Sequence, residues 1–262
     1  MKILIADKLE SSAVALLTSK GFQVEAMPSL KDQSLVDALV THQPQILVVR
    51  STKVNAEMCA ATDALELIIR AGAGVNNIDL EAASNHAICV SNCPGMNAVA
   101  VAELTIGHLL NADRRIAENV ALSKTGKWDK KTFSRASGVK GKRLGILGFG
   151  AIGKAVATRA KALEMEVVAW SSTMTEPVAN QHGIKWCADP LMLAKISDIV
   201  SVHLPLSKAT THLLDSKFFA AMRSNALFIN TARAEVVDES AMIKAIKLGH
   251  IRAGLDVISN EP

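Results

Sequence analysis

Short apolar runs alternate with longer amphipathic stretches along most of this 262-residue chain. Lys2–Ala6, Gln23–Ala26, Ile46–Val49, Leu67–Arg70 and Ala87–Ser91 read as strands, with helices over Ser11–Ser19 and Leu35–Thr41. This alternation predicts a parallel sheet with helices on both faces. Asn92-Cys93-Pro94-Gly95 marks a break. Beyond it, Val99, Val101, Leu104, Ile106, Leu109 and Leu110 recur at helical spacing and predict one long helix from about Asn97 to Lys124. The polar stretch Gly126–Val139, with Trp128 and Phe133, reads as an excursion, its aromatics suiting a contact between two copies or a local mini-core. From Lys142 strands and helices alternate again, with strands near Leu144–Leu147, Glu166–Trp170, Ile184–Trp186, Ile199–His203, Leu227–Asn230 and Ala253–Val257.

The segment Leu144 to Gly153 carries the clearest local signal. Leu144, Ile146 and Leu147 form a buried-strand run, Gly148, Gly150 and Gly153 have the spacing G-x-G-x-x-G, and the Ala-rich residues from Ile152 onward are helical. In that context each glycine has its own mechanical reason. Gly148 permits a tight turn, Gly150 lets the backbone approach a pyrophosphate, and Gly153 lets the helix pack close to the sheet. The helix start, with its unpaired N–H groups, suits phosphate. Six strands with intervening helices match a doubly wound dinucleotide-binding sheet. The expected architecture is therefore α/β, with a Rossmann-type parallel sheet domain at 99–262 and a smaller flavodoxin-like α/β domain at 1–98.

Composition narrows the function classes. Nearly half of the residues are apolar, which excludes a disordered chain, and the net charge of +4 is not gathered in a tail, which argues against nucleic acid as a partner. A mild basic surplus suits a small anionic substrate. No apolar run is long enough to span a membrane, and Asp7 interrupts what would be a signal peptide's apolar core, so the expectation is a cytoplasmic protein. Cys59, Cys89, Cys93 and Cys187 form no C-x-x-C pair, and no H-E-x-x-H occurs, so no metal site is expected.

Loops at the carboxyl ends of strands are where open α/β sheets bind ligands. In the first part these are Arg50–Val54, whose Arg50 could clamp an anion or be a solvated charge, and Arg70–Asp79. In the latter, Gly72 and Gly74 would present successive backbone N–H groups to a carboxylate, or form an ordinary turn capped by Asn76 or Asn77. In the second part, Glu166–Trp170 ends in Ser171-Ser172-Thr173, with neither the acid that binds the ribose 2′-OH of NAD nor an Arg for a 2′-phosphate. Ser171 could bond either ribose, so NAD is the first choice of cofactor and NADP is not excluded. Ser201–Leu206, Asn230–Asp238 and Gly254–Pro262 complete a constellation facing the same crevice.

These segments resemble the D-isomer-specific 2-hydroxyacid dehydrogenases, through AGAGVNNIDL, VAELTIG, GFGAIG, VHLPL, INTARAEVVDE and GLDV with the final Glu-Pro. The resemblance spans nearly the whole chain and implies hydride transfer between NAD(P) and a small 2-hydroxy or 2-keto acid, 3-phospho-D-glycerate above all, in a homodimer. It implies that Arg233 binds the carboxylate and carbonyl oxygens of the substrate and that Glu261 partners a catalytic histidine. It assigns Ala73, Gly74 and Val75, with Arg50, to substrate. To the cofactor it assigns Ala151, Ile152, Thr231, Ala232 and Asp256, together with the three glycines, Thr105, Ser171, His203 and Pro205. A planar guanidinium suits such an acid, since it can grip it through two parallel bonds and polarise the carbonyl. The alternative for Arg233 is an ion pair with Glu235 or Asp238, and for His203 a structural hydrogen bond, preferred over catalysis. Ala234-Glu235 departs from the family's Gly and small residue after the Arg. The family's general acid–base histidine lies beyond the Glu-Pro at which this sequence ends, and its closing helices lie there too. The second expectation is accordingly a catalytically silent NAD(H)-binding protein or a fragment.

Overall fold

The computed structural model describes residues 1–259. Contacts divide the chain into two compact units, Met1–Asn97 and the remainder from Ala98. The first unit comprises β1 (Lys2–Ile5), α1 (Ser11–Ser19), β2 (Gln23–Ala26), α2 (Asp32–His42), β3 (Ile46–Val49), α3 (Ala56–Cys59), β4 (Leu67–Arg70), α4 (Leu80–Asn85) and β5 (Cys89–Asn92). Its all-parallel sheet has the order β2-β1-β3-β4-β5, the flavodoxin-like arrangement. Every residue of β3 is buried, as a central parallel strand covered on both faces requires.

The second unit begins with α5 (Ala98–Arg114), α6 (Ile116–Lys124) and α7 (Lys130–Phe133). It continues through β6 (Arg143–Leu147), α8 (Ala151–Ala162), β7 (Glu166–Trp170), α9 (Glu176–Gln181), β8 (Lys185–Trp186), α10 (Pro190–Ile196) and β9 (Ile199–Val202). It ends with α11 (Ser216–Ala221), β10 (Ala226–Asn230), α12 (Glu239–Lys247) and β11 (Ile251–Leu255). The sheet order β11-β10-β9-β6-β7-β8 reverses direction between β6 and β9, the doubly wound order of a dinucleotide-binding domain. Phe218, Phe219 and Phe228 meet edge to face in the core beside this sheet, with centroids 5.7 and 5.1 Å apart.

Two expectations are corrected. The single helix over 97–124 is two helices, because Arg115 takes a left-handed conformation and the Asn111 side chain accepts from Ala117 N, satisfying an amide of the new helix start. Ala98, Ala102, Thr105, Leu109 and Asp113 form the buried stripe of α5, while Val99 and Leu104 face outward. The last strand runs over Ile251–Leu255 rather than 253–257, since its register against β10 pairs Ala226 with Ile251 and Asn230 with Leu255. In the excursion, Phe133 is held locally beneath the Arg115 guanidinium, and Trp128 stays exposed. No helix of the described residues is long and apolar enough to cross a membrane.

Gly145, inside β6, shows how tightly α10 seats on the sheet. A methyl group there would lie 2.4 Å from both Leu193 Cδ2 and Ser197 Oγ. Both side chains are buried, and the Ser197 hydroxyl is committed to Leu193 O. Gly145→Ala is therefore expected to cost about 1–3 kcal/mol through overpacking, read as a fall in the urea midpoint. An unchanged midpoint would show that α10 can move away freely.

Candidate active site

In the second unit the glycine turn is shaped by contacts at either side. Gly148 has φ +95°, and a Cβ on it would fall 2.5 Å from the His203 carbonyl oxygen. Its N–H donates to Trp170 O at 2.8 Å, and His203 N donates to Leu147 O at 2.7 Å, so the ends of β6, β7 and β9 are drawn together. A Cβ on Gly153 would meet Gly148 O at 2.2 Å, which brings the first turn of α8 down onto the same turn. Gly150 differs: nothing lies within 4 Å of where its Cβ would be. It is the N-cap of α8, no side chain caps that end, and the amides of Ala151, Ile152 and Gly153 precede any intrahelical carbonyl. Open space over an uncapped helix start fits a pyrophosphate.

The neighbouring strand ends supply the rest. Ser171 follows β7 in a turn closed by Met174 N donating to Ser171 O, with Met174 buried beneath. Asn230, at the end of β10, closes its own loop. Its Oδ1 accepts from Ala232 N, its Nδ2 donates to Arg233 O, and its carbonyl accepts from Asp256 N. Arg233 is half-buried, and its Nη1 donates to Ala232 O at 2.7 Å. Among the described residues it forms no ion pair: Asp238 instead caps α12, so the pairing with Glu235 or Asp238 is not realised. Ala151, Pro205 and Asp256 are exposed, and Ile152 and Ala232 half-buried. Thr105 is fully buried and Thr231 nearly so, with their hydroxyls 3.0 Å apart. Glu261 lies outside the described residues.

His203 is also enclosed. Its Nε2 is 2.9 Å from Ser201 Oγ, and its Nδ1 is buried without a partner. Burial pushes its pKa down to about 4, so the ring is neutral near pH 7, and its bond goes to Ser201 of β9, the strand it directly follows, not to a loop.

In the first unit the loop after β3 is organised by Asp7, a residue whose role the sequence pattern does not reveal. Its Oδ2 accepts from the backbone N–H groups of Arg50, Ser51 and Thr52 at 2.6, 3.1 and 3.0 Å, and its Oδ1 from Ser51 Oγ. Burial would raise the Asp7 pKa, but these amide and hydroxyl donors outweigh it and hold the carboxyl below its ordinary value. The Arg50 side chain is exposed. The loop after β4 is corrected in one respect: Gly72 N already donates to Arg70 O, so it is not offered to a ligand. Asn92 Nδ2 donates to Ala73 O, and Cys93 N to Gly72 O, fixing the loop from beneath. Among the described residues no hydrogen bond engages the amides of Ala73, Gly74 and Val75. These half-buried amides can hold a carboxylate.

The buried neutral His203 makes the fold acid-sensitive. Its folded pKa lies below the unfolded value of 6.5, so the unfolded chain takes up the proton first. The full stability is present above pH 6.5 and is lost as pH falls from there towards 4. Between pH 7 and pH 5 the loss from this group is about 2 kcal/mol. Replacing His203→Asn should flatten the dependence of urea unfolding on pH across that window; an unaltered slope would assign the acid sensitivity to other groups.

Residues 106–262 match the family model described as D-isomer specific 2-hydroxyacid dehydrogenase, NAD binding domain. The whole chain aligns with D-3-phosphoglycerate dehydrogenase of Methanocaldococcus jannaschii at 38% identity, covering 50% of that protein. The chain thus spans about half the length of the curated relatives it matches. Among solved structures, the TT0316 protein from Thermus thermophilus superposes over all of this chain and 83% of its own, with a TM-score of 0.89 and 33% identity. An acyclic imino acid reductase in complex with NADPH and D-Arg covers the chain equally, with 84% of its own length, a TM-score of 0.86 and 29% identity. With the glycine turn, the strand order and the family match in agreement, the chain belongs to the D-isomer specific 2-hydroxyacid dehydrogenases and carries their NAD-binding domain.

Proposed function

We propose that this chain acts as an NAD(P)-dependent dehydrogenase of D-2-hydroxy acids, with 3-phospho-D-glycerate as its substrate. The observation that carries the reading is the open cradle over Gly150 at the switch point of the second sheet, in a unit where Arg233 forms no ion pair with any of the described residues. A bound nicotinamide cofactor would exchange the hydride. Gly148, Gly150 and the amides of Ala151, Ile152 and Gly153 would hold its pyrophosphate, and Ser171 its ribose. Arg233 would bind the substrate's carboxylate and polarise its carbonyl; permanently protonated, it cannot take the alcohol's proton. His203 is poorly placed to take that proton, being enclosed and bonded to Ser201, so with these residues alone the proton would pass to solvent water. On the first unit, the amides of Ala73, Gly74 and Val75 and the exposed Arg50 would serve an anionic substrate.

The test pairs cofactor binding with turnover. Arg233→Ala should lower kcat/KM by about 10²–10³-fold while leaving NADH affinity, followed by fluorescence, within about threefold. Among 3-phospho-D-glycerate, D-glycerate and D-lactate, the phosphorylated acid should be preferred. Equal kcat/KM for all three removes the phosphate-specific reading, and cofactor binding with no turnover on any acid supports the silent binding protein instead.

The cofactor's ribose end has its own test. With no carboxylate at the end of β7, nothing there accepts both ribose hydroxyls or repels a 2′-phosphate. The hydroxyls of Ser171, Ser172 and Thr173 both donate and accept. NADH and NADPH should therefore bind within about tenfold of each other, and Ser171→Asp should weaken NADPH at least about tenfold by like-charge repulsion. A wild-type chain already selective beyond that margin contradicts the assignment of Ser171.

A further inference from the structure

Helix α5 meets the end of β10 through two threonines buried in the second unit. Thr105 Oγ1 is 2.8 Å from Val101 O, one turn back along the helix, and 3.0 Å from Thr231 Oγ1. A hydroxyl has one proton, and a carbonyl can only accept. The Thr105 proton therefore goes to Val101 O, and Thr231 must be the donor in the bond between the two hydroxyls. With the Thr105 proton on Val101 O, the relay runs from Thr231 O–H to Thr105 O and from Thr105 O–H to Val101 O. The Thr231 hydroxyl is left with its proton aimed into the protein, so it can only accept from any other group.

The helix is close enough for this because Gly254 of β11 faces it. A Cβ there would fall 3.2 Å from His108 Cβ, one turn along from Thr105. Thr231 opens the segment Thr231-Ala232-Arg233, whose other ties among the described residues are the Asn230 side chain on Ala232 N and Arg233 O and the 2.7 Å bond from Arg233 to Ala232 O. The Asn230 ties close the loop on itself. The Thr105 relay joins it to the helix. Thr105 has no exposed surface, and its link to the loop runs through Thr231.

We propose that Thr105 is a positioning residue, which orients Thr231 and thereby holds the Arg233 loop at the cofactor crevice. The inference rests on the dehydrogenase reading above for what that loop does. Thr105→Val keeps the shape, removes the acceptor and leaves the Thr231 hydroxyl buried without a partner. Thr105→Ser retains both bonds. At a temperature where both variants are folded by circular dichroism, Thr105→Val should weaken NADH binding and lower kcat/KM with 3-phospho-D-glycerate by about tenfold or more. Thr105→Ser should stay within about threefold of wild type in both. In the double variant with Thr231→Val the losses should not add, because either change breaks the same bond.

A Thr105→Val protein that is less stable yet binds and turns over within threefold of wild type would overturn the proposal, leaving a purely structural bond. So would a Thr105→Ser protein as impaired as the Val variant, or additive losses in the double variant. If Thr105→Val does not fold, Thr231→Val breaks the relay from the loop side, and the same comparison with Thr105→Ser decides. Wild-type protein that binds no NADH sinks the dehydrogenase reading and this inference together; normal wild-type binding with an unaffected Thr105→Val sinks this inference alone.

Discussion

Where β6 ends, the backbone turns within van der Waals reach of the end of β9, and no side chain fits between them. The two strands flank the point at which the sheet order reverses, so the approach is imposed by topology rather than by a local preference. Its consequences spread outward. Gly148 must be glycine for lack of space and for its left-handed φ, and α8 then starts directly on that turn because Gly153 also lacks a Cβ. The start of α8 consequently points its amides over Gly150 into open space, which is the property a phosphate needs. On the other side of the contact, His203 is sealed into the interior, and its charge state is decided by burial.

A second device recurs in both units: a polar side chain at the end of a strand closes a loop by bonding its backbone. Asp7 gathers the amides after β3, Asn92 holds Ala73, and Asn230 ties both ends of the Ala232–Arg233 segment. Asn77 adds a link by donating to Thr52 O, between the loops after β3 and β4. Loops held this way keep their shape without a ligand, so little ordering cost is left for binding.

The glycine turn, the parallel sheets and the loops carrying Arg233 and Ala73–Val75 were legible in the sequence because each depends on local features: spacing, apolar runs and motif. What depends on distant partners was not. Asp7 read only as a charge inside an apolar segment, since nothing local says that three amides more than forty residues away converge on it. The break at Arg115 is hidden in an unbroken helical pattern, because the signal is a side chain of Asn111 bonding across it. The end strand was misplaced by two residues because its apolar pattern continues past Leu255, and only pairing with β10 sets the register. Gly72 resembles a ligand-facing amide by composition, but its own turn consumes that amide.

The strand orders also bear on how the polypeptide can assemble while it is being made. β1 is the first strand of its unit and sits inside its sheet; β2 pairs on one side, and β3, β4 and β5 then add successively on the other. β6 begins the second sheet in the same way, with β7 and β8 growing outward from it before β9, β10 and β11 extend the opposite edge. No late strand has to be inserted between two that are already paired. Each sheet can therefore lengthen in the order in which the ribosome delivers its strands, and each new strand meets an edge that is already formed. For all-parallel sheets, whose pairings are remote in sequence and slow to close, that order shortens the time during which an apolar strand is left uncovered.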